Sequence, residues 1–338
     1  MPDLKGIGAT VLGCAGGSLS PSEAAFFRDA DPWGFIIFAR NVETPDQLRR
    51  LTDALRTTVG RDAVIMVDQE GGRVQRLRAP FWREFLPPLD QAARAGENAA
   101  RSLWISARLI ADDLRGVGID ANCAPCCDIA GAKTHPFLRN RCLGTDAATV
   151  ARNGRAVADG LLAGGVLPVM KHMPGHGRAE ADTHFDLPLI DATLGDLTDT
   201  DFAPFAALAD LPMGMTAHIR LPGFGDAPAT QNPAILALIR DRIGFDGLLM
   251  TDDLSMQALS GGLGDRAARA MAAGCDIALH CNGKLDEMTQ VVAAAGRLTP
   301  SAQTRAQAAL AVRRPPAPVD TTALEAELAV LLGGGVNA

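Results

Sequence analysis

Two short segments of the sequence carry residue types that suit proton transfer and nucleophilic attack. Asp252 and Asp253 come directly after an apolar run, and Asp182 and His184 lie in the Gly-rich stretch 175–186. Asp182 stands two residues before His184, close enough to accept a ring N–H, fix the tautomer and favour the imidazolium form. A histidine held in this way can act as a general acid near neutral pH.

The two segments together predict displacement at an anomeric carbon. In such a reaction a carboxylate attacks one face of the sugar while an acid protonates the leaving oxygen. The usual acid is Asp or Glu, so a histidine would be unusual. Strand side chains alternate in direction, and only one of two adjacent aspartates is expected to face into a barrel mouth. We assign the chemical role to Asp252, and to Asp253 the role of capping the helix that follows.

A further carboxylate, Asp68, ends another apolar run and shares its predicted inward face with Val64 and Met66. An acid above an apolar layer is costly to bury unless it is paired or bonded to a ligand hydroxyl. Asp68 therefore binds a ligand or pairs with Arg73 or Arg76, because ion-pair networks also collect charges in clefts.

The histidines near residue 172 raise the alternative of a metal site. His172, His176, Asp182 and His184 are all possible ligands, and the first two have the i, i+4 spacing of a helical zinc pair. A Pro-Gly pair between those two forbids the helix that would place both rings on one face. We therefore expect no metal and no cofactor, and interpret 175–186 as a loop that carries Asp182 and His184 over the pocket.

The elements that must position these residues follow an alternating pattern. Eight short apolar runs predict strands at 8–14, 34–38, 63–67, 118–124, 166–170, 213–217, 247–250 and 276–279. Helical spacing lies between most of them, at 44–59, 98–115, 147–163, 233–242 and 264–273. Strands separated by helices of this length pair in parallel. The 338 residues thus predict an α/β protein with a single-domain (β/α)8 TIM barrel.

An open, doubly wound sheet is the alternative fold. It is disfavoured because no GxGxxG motif opens a helix after the first strand. We expect the catalytic barrel to occupy 1–312. The remainder, 313–338, contains the run RRPPAPVD and a last helix at 321–332, and we expect it to pack on the same domain. The barrel places its active site at the carboxyl ends of the strands, so the polar residues above should converge there.

Composition excludes several classes of function. The net charge is −7 without a basic run, which argues against nucleic-acid binding. No stretch is long and apolar enough for a membrane span, and 1–8 lacks the apolar core of a signal peptide. The seven cysteines form an odd set within apolar segments. Cysteines 123, 126 and 127 suggest a redox or zinc site, but no second CxxC accompanies them. We expect reduced thiols and a cytoplasmic protein.

At these same residues the sequence resembles the family 3 glycoside hydrolases. The resemblance lies in three motifs: VDQEGGRVQRL at 67–77, KHMPGHG at 171–177 followed by DTH at 182–184, and MTDDLSM at 250–256. It extends over nearly the whole chain. It implies a (β/α)8 enzyme that removes a terminal, non-reducing N-acetylglucosamine by retaining hydrolysis, without metal or cofactor.

The resemblance also implies individual roles. Asp252 is the nucleophile, with Thr251 where the family has Ser, and His184 is the general acid/base with Asp182 as its partner. Sugar-binding positions carry over to Asp68, Arg76, Arg141, Lys171 and His172. The segment NRCLG at 140–144 departs from the family's D-R-S-F-G in three of five positions.

The resemblance further implies a substrate and a physiological setting. These are recycled cell-wall muropeptides in the cytoplasm, cut between N-acetylglucosamine and 1,6-anhydro-N-acetylmuramic acid. Three alternatives stay open: a phosphorylase that uses the same covalent step, a β-glucosidase or β-xylosidase, and a sugar-binding protein without activity. The expected partner in each case is a small carbohydrate.

Overall fold

The computed structural model describes residues 4–180 and 186–333. Within them, eight strands form one sheet in the order β7-β6-β5-β4-β3-β2-β1-β8. The strands are β1 Gly8–Gly13, β2 Pro32–Ile37, β3 Val64–Val67, β4 Ala121–Asn122, β5 Leu167–Met173, β6 Met213–Thr216, β7 Leu248–Met250 and β8 Ala278–His280. Each paired neighbour is parallel.

Backbone bonds between the two outer strands of this order close the barrel. The N–H of Thr251 donates to the carbonyl of Ile277 at 3.0 Å, and the N–H of Asp276 donates to the carbonyl of Leu249 at 2.8 Å. The Thr251 hydroxyl also accepts the N–H of Leu279 at 2.9 Å. The predicted (β/α)8 barrel is therefore confirmed, and the open sheet is excluded.

The helices lie between the strands as the spacing predicted. They are α1 Pro21–Ala30, α2 Pro45–Val59, α3 Pro88–Ala95, α4 Ala99–Arg115, α5 Pro136–Arg139, α6 Ala147–Ala163, α7 Leu194–Asp199, α8 Ala203–Ala207, α9 Pro233–Asp241, α10 Leu263–Ala273, α11 Leu285–Ala295, α12 Pro300–Val312 and α13 Thr321–Leu331. Caps explain several starts: Ser20 forms a capping box with Glu23, and the side chains of Thr44 and Asp146 accept N–H groups of their own first turns. None of the described helices is long and apolar enough to cross a membrane.

β4 is much shorter than the predicted 118–124 because side chains take the place of backbone carbonyls at both of its ends. The Asp120 carboxylate accepts the N–H of Ile65 at 2.8 Å. The Asn122 side chain bonds both the N–H and the carbonyl of Gln69, each at 2.9 Å. β5 instead continues beyond the predicted 166–170, because its last carbonyl, at Met173, accepts the N–H of Ala217 at 2.7 Å.

The interior of the barrel is filled with apolar side chains rather than left as a channel. Inward residues such as Val11, Met66, Val169 and Leu248 form one buried cluster. Two further clusters lie mainly between the strands and the surrounding helices. This packed floor leaves space only at the mouth, where the carboxyl ends of the strands meet.

The last helix lies against the outside of the barrel. α13 contacts α4 and buries Leu324, which is 7% exposed. Arg101 on α4 makes two bonds of 2.7 Å with the carboxylate of Glu327 on α13. Near the start of the connecting segment, Arg313 bonds the buried carboxylate of Asp120 at 2.6 Å.

Candidate active site

A cavity of about 230 Å³ opens at the carboxyl ends of the strands. Six of the side chains selected from the sequence line it: Asp68, Arg76, Arg141, Lys171, His172 and Asp252. The other two, Asp182 and His184, lie outside the described residues. The structure thus brings together side chains from the ends of β3, β5 and β7 and from the segment after α5, up to 184 residues apart in the sequence, from 68 to 252.

Asp68 is held by two cations. Its Oδ1 accepts from Lys171 Nζ at 2.8 Å and its Oδ2 from Arg76 Nη2 at 3.0 Å. Burial would raise the pKa of Asp68, but Lys171 and Arg76 outweigh it and hold that pKa well below its usual range. Of the two pairings considered for Asp68, the structure has the one with Arg76. The ionised carboxylate also lines the cavity, so pairing does not remove it from a ligand's reach.

Glu70 shares Lys171 with Asp68, binds Arg141 as well, and was not selected from the sequence. Its carboxylate accepts Arg141 Nε at 2.9 Å and Nη2 at 2.8 Å, and Lys171 Nζ lies 2.7 Å from Oε1. Burial opposes ionisation, but Arg141 and Lys171 lower the pKa of Glu70 to about 2. Strand alternation offered a signal, because Glu70 stands two residues after Asp68. The fork with Arg141 fixes the guanidinium in the cavity wall.

Asp128 orients His172 and was also missed. Its Oδ2 lies 2.7 Å from His172 Nδ1, and its Oδ1 accepts the N–H of His176 at 2.6 Å. Burial would raise the pKa of Asp128, but His172 lowers it to about 2. The ionised Asp128 therefore fixes the proton on Nδ1 of His172. The other ring nitrogen, Nε2, lies 3.4 Å from Arg141 Nη2, and the residue lines the cavity.

The two adjacent aspartates after β7 both line the cavity, which the alternation argument did not predict. Asp252 Oδ1 accepts the N–H of Asp253 at 2.8 Å. Burial would raise the pKa of Asp252, but the nearby His172 and His218 outweigh it and lower that pKa. Asp252 is thus an ionised carboxylate in the lining of the cavity.

Capping of the next helix by Asp253 was a wrong prediction. α10 begins at Leu263 with Gly262 as its N-cap, far beyond the strand end. Asp253 instead closes a tight turn, accepting the N–H of Ser255 at 3.1 Å, and accepts the N–H of Cys281 at 3.2 Å. Because the connection between β7 and α10 is long, Asp253 lies in a turn well before the helix and stabilises that turn instead.

His218 supports the turn that carries the aspartates. Its Nδ1 lies 2.7 Å from Thr230 Oγ1, and its Nε2 lies 3.1 Å from the carbonyl of Asp253. A carbonyl only accepts, so Nε2 carries the proton. Burial lowers the pKa of His218. The Thr230 hydroxyl also donates to the carbonyl of Ala217 at 2.9 Å, which ties the ring to β6.

One group of described residues has the donor types of a metal site. Ligand atoms of Cys126, Asp128 and His172 lie within 4.8 Å of one another. These groups already bond one another, because the Cys126 thiol donates to Asp128 Oδ2 at 3.4 Å beside the His172 bond. A hydrogen bond with Cys142 raises the pKa of Cys126 well above its ordinary value, and burial is the second largest cause. These contacts are those of a hydrogen-bonded group that orients His172. They do not fit a metal site, which would need Cys126 as a thiolate.

Comparisons with known proteins agree with the motifs. The model of the glycosyl hydrolase family 3 N-terminal domain matches residues 21–313. A beta-hexosaminidase of Bordetella avium is 35% identical over 292 residues, covering 83% of this chain and 82% of the relative. One from Pseudomonas aeruginosa is 37% identical over 285 residues, covering 82% and 83%.

A solved structure extends the agreement to the whole barrel. NagZ from Neisseria gonorrhoeae, in complex with N-trifluoroacetyl-D-glucosamine, superposes with a TM-score of 0.84 at 28% identity. The superposition covers 96% of this chain and 98% of that one. The family expected from the three motifs is confirmed by a family model that spans most of the chain. The chain therefore belongs to glycoside hydrolase family 3.

Proposed function

We propose that this glycoside hydrolase is a retaining exo-β-N-acetylglucosaminidase that forms a glycosyl ester on Asp252. The observation that carries the proposal is an ionised, half-buried Asp252 that lines a cavity together with the paired charges of Asp68, Arg76 and Lys171. Its relatives are named beta-hexosaminidases, and the similar NagZ structure contains an N-acylated glucosamine. These likenesses support activity on a β-N-acetylhexosaminide.

The charged wall supports binding of sugar hydroxyls. Arg76, Arg141 and Lys171 can donate to hydroxyl oxygens, and Asp68 can accept hydroxyl hydrogens. Because each of these groups is already paired, its position is fixed before the sugar arrives. A cavity of about 230 Å³ has room for about one monosaccharide unit, which favours removal of a terminal sugar over cleavage in the middle of a chain.

The proposed reaction has two displacements. The Asp252 carboxylate attacks the anomeric carbon as the bond to the leaving oxygen breaks, and that oxygen takes a proton from the acid. Water then attacks the same carbon and gives one proton to the group that acted as the acid. The bond to Asp252 breaks, and the two inversions together leave the sugar with its original configuration. We assign the acid/base role to His184, with Asp182 as its partner, on the resemblance of the DTH motif.

The natural substrate that we propose is a muropeptide in the cytoplasm, cut after its terminal N-acetylglucosamine. This finer statement rests on the resemblance, since the cavity itself supports only the terminal sugar. It is tested by offering N-acetylglucosaminyl-1,6-anhydro-N-acetylmuramic acid with and without its peptide, and comparing kcat/KM with that of a neutral aryl glycoside.

The test of the covalent step is to trap the intermediate. A slow fluorinated N-acetylglucosaminide should add one sugar to the protein, and peptide mass mapping should place it on Asp252. The D252N variant should form no adduct and lose roughly a thousandfold or more in turnover while it still binds N-acetylglucosamine. An adduct on Asp253 or elsewhere would reject the assignment. Sugar 1-phosphate formed in phosphate buffer would instead identify a phosphorylase.

A further inference from the structure

His176 is a cavity-lining histidine to which the proposed mechanism gives no task. It lies just beyond β5 and is 4% exposed. Its backbone N–H donates to Asp128 Oδ1 at 2.6 Å. Its ring meets the His172 ring edge-on, with centroids 5.7 Å apart. The backbone bond and the ring contact together fix where this imidazole stands in the cavity wall.

The hydrogen-bonding atoms of this ring are unused. Within the described part of the chain, neither Nδ1 nor Nε2 of His176 has a hydrogen-bond partner. The cavity histidines His172 and His218, by contrast, both bond protein groups. A buried polar group left without a partner costs about 1–3 kcal/mol. Each of the two nitrogens has less than 1 Å² of exposed surface, so a small turn of the ring would let a ligand in the cavity bond one of them and recover that cost.

The ring is neutral in the range where the enzyme would work. Burial lowers the pKa of His176 to about 4, and the nearby Asp128 only partly opposes this. A neutral imidazole offers one N–H donor and one nitrogen acceptor. It therefore suits a neutral polar group rather than an anion.

The wall between His176 and Asp252 consists of the apolar side chains of Met215 and Ala217 and the imidazole of His218. β6 lies between β5 and β7, and its residues Met215 and Ala217 line the cavity while being only 3% and 1% exposed. The opposite side, which leads from Lys171 to Asp68, is charged. A sugar whose C1 lies at Asp252 and whose hydroxyls face the charged side would turn its C2 substituent toward this uncharged wall.

We propose that His176 is a specificity-determining residue that hydrogen-bonds the acetamido group at C2, with Met215 and Ala217 beside the methyl. An acetamido group has one donor, one acceptor and one methyl. The His176 ring can bond either the N–H or the carbonyl, and Met215 and Ala217 offer apolar surface to the methyl. The inference rests on the proposed function, because it needs C1 of the sugar at Asp252.

The test compares two substrates that differ only at C2. Wild type, H176A and H176F are assayed with 4-nitrophenyl β-N-acetylglucosaminide and 4-nitrophenyl β-glucoside. Both variants should lose roughly tenfold or more in kcat/KM on the first substrate and less than about threefold on the second. If hydrolysis of the glucoside is too slow to measure, the inhibition constants of N-acetylglucosamine and glucose are compared instead of the two kcat/KM values. H176Q, which restores a donor and an acceptor, should recover part of the ratio.

A matched control is H280Q, because His280 is a buried histidine at the end of β8 that does not line the cavity. It should leave the ratio between the substrates unchanged. Equal losses on both substrates in H176A and H176F would show a merely structural role and overturn the inference. If H176A does not fold, the same ratio between the two substrates is measured for H176F and H176Q. A wild type without preference for the N-acetylated substrate would reject the proposed function itself.

Discussion

At the scale of single residues, the cavity wall is a chain of alternating charges. Arg76, Asp68, Lys171, Glu70 and Arg141 follow one another, each within 3.0 Å of the next. Each of the two carboxylates pairs with two of the three cations. Removing one partner of a buried pair leaves an uncompensated charge. The donors that a sugar would meet are therefore held in place by residues that need not touch it.

Glu70 makes this dependence measurable. The E70Q variant should unfold with a free energy roughly 3 kcal/mol lower than wild type, because Arg141 and Lys171 would keep their charges without the carboxylate. KM for an aryl N-acetylglucosaminide should also rise. Urea unfolding and steady-state kinetics measure the two effects. The control is E84Q, since Glu84 pairs with Arg78 in solvent, where both side chains are over 40% exposed. It should change stability by less than about 1 kcal/mol, and equal effects of the two variants would contradict the argument.

Residue types and strand ends were enough to predict Asp68 and Asp252 as site residues, and the family resemblance added Lys171. They were not enough for Asp128 and Glu70, because what matters there is a distant partner. Asp128 meets a histidine 44 residues later, and Glu70 meets an arginine 71 residues later. Such contacts depend on which strand ends become neighbours, which the barrel decides and the local sequence does not.

At the scale of elements, hydrophobic periodicity predicted the strands and helices, and α6 has the predicted bounds. The errors occur where side chains replace backbone partners. Asp120 and Asn122 take the N–H groups of β3 and the loop after it, so β4 has only two residues of regular pairing. Periodicity reports which face is buried, not which atoms make the hydrogen bonds.

The last helix provides a prediction at this scale, namely that 313–338 folds as part of the same unit as 1–312. L324A should lower the free energy of unfolding by roughly 1–3 kcal/mol, because Leu324 is buried where α13 meets α4. V330A is the control, since Val330 on the same helix is 53% exposed, and it should change stability by less than about 0.5 kcal/mol. Urea unfolding should show one transition in each case. A separate early transition, or no effect of L324A, would show that the tail is independent.

At the scale of the whole molecule, the barrel separates apolar from charged groups along its axis. The interior below the mouth is an apolar cluster, and the carboxyl ends of the strands carry the ion pairs and histidines. The chain has a net charge of −7, yet the cavity wall includes Arg76, Arg141 and Lys171. The same separation buries His176 in surroundings that disfavour its charged form.

That burial predicts how stability depends on pH. The pKa of His176 falls from 6.5 to about 4 on folding, so between these values the unfolded chain binds a proton that the folded chain does not. The free energy of unfolding should therefore decrease as the pH falls below 6.5, with the loss complete below pH 4. Wild type should lose about 2 kcal/mol more than H176Q between pH 7.5 and pH 5 in urea titrations at constant salt. V330A, which removes no ionisable group, should stay at a constant offset from wild type. If H176Q also stayed at a constant offset from wild type, His176 would bind its proton equally well in the folded and unfolded chains. That result would contradict the prediction.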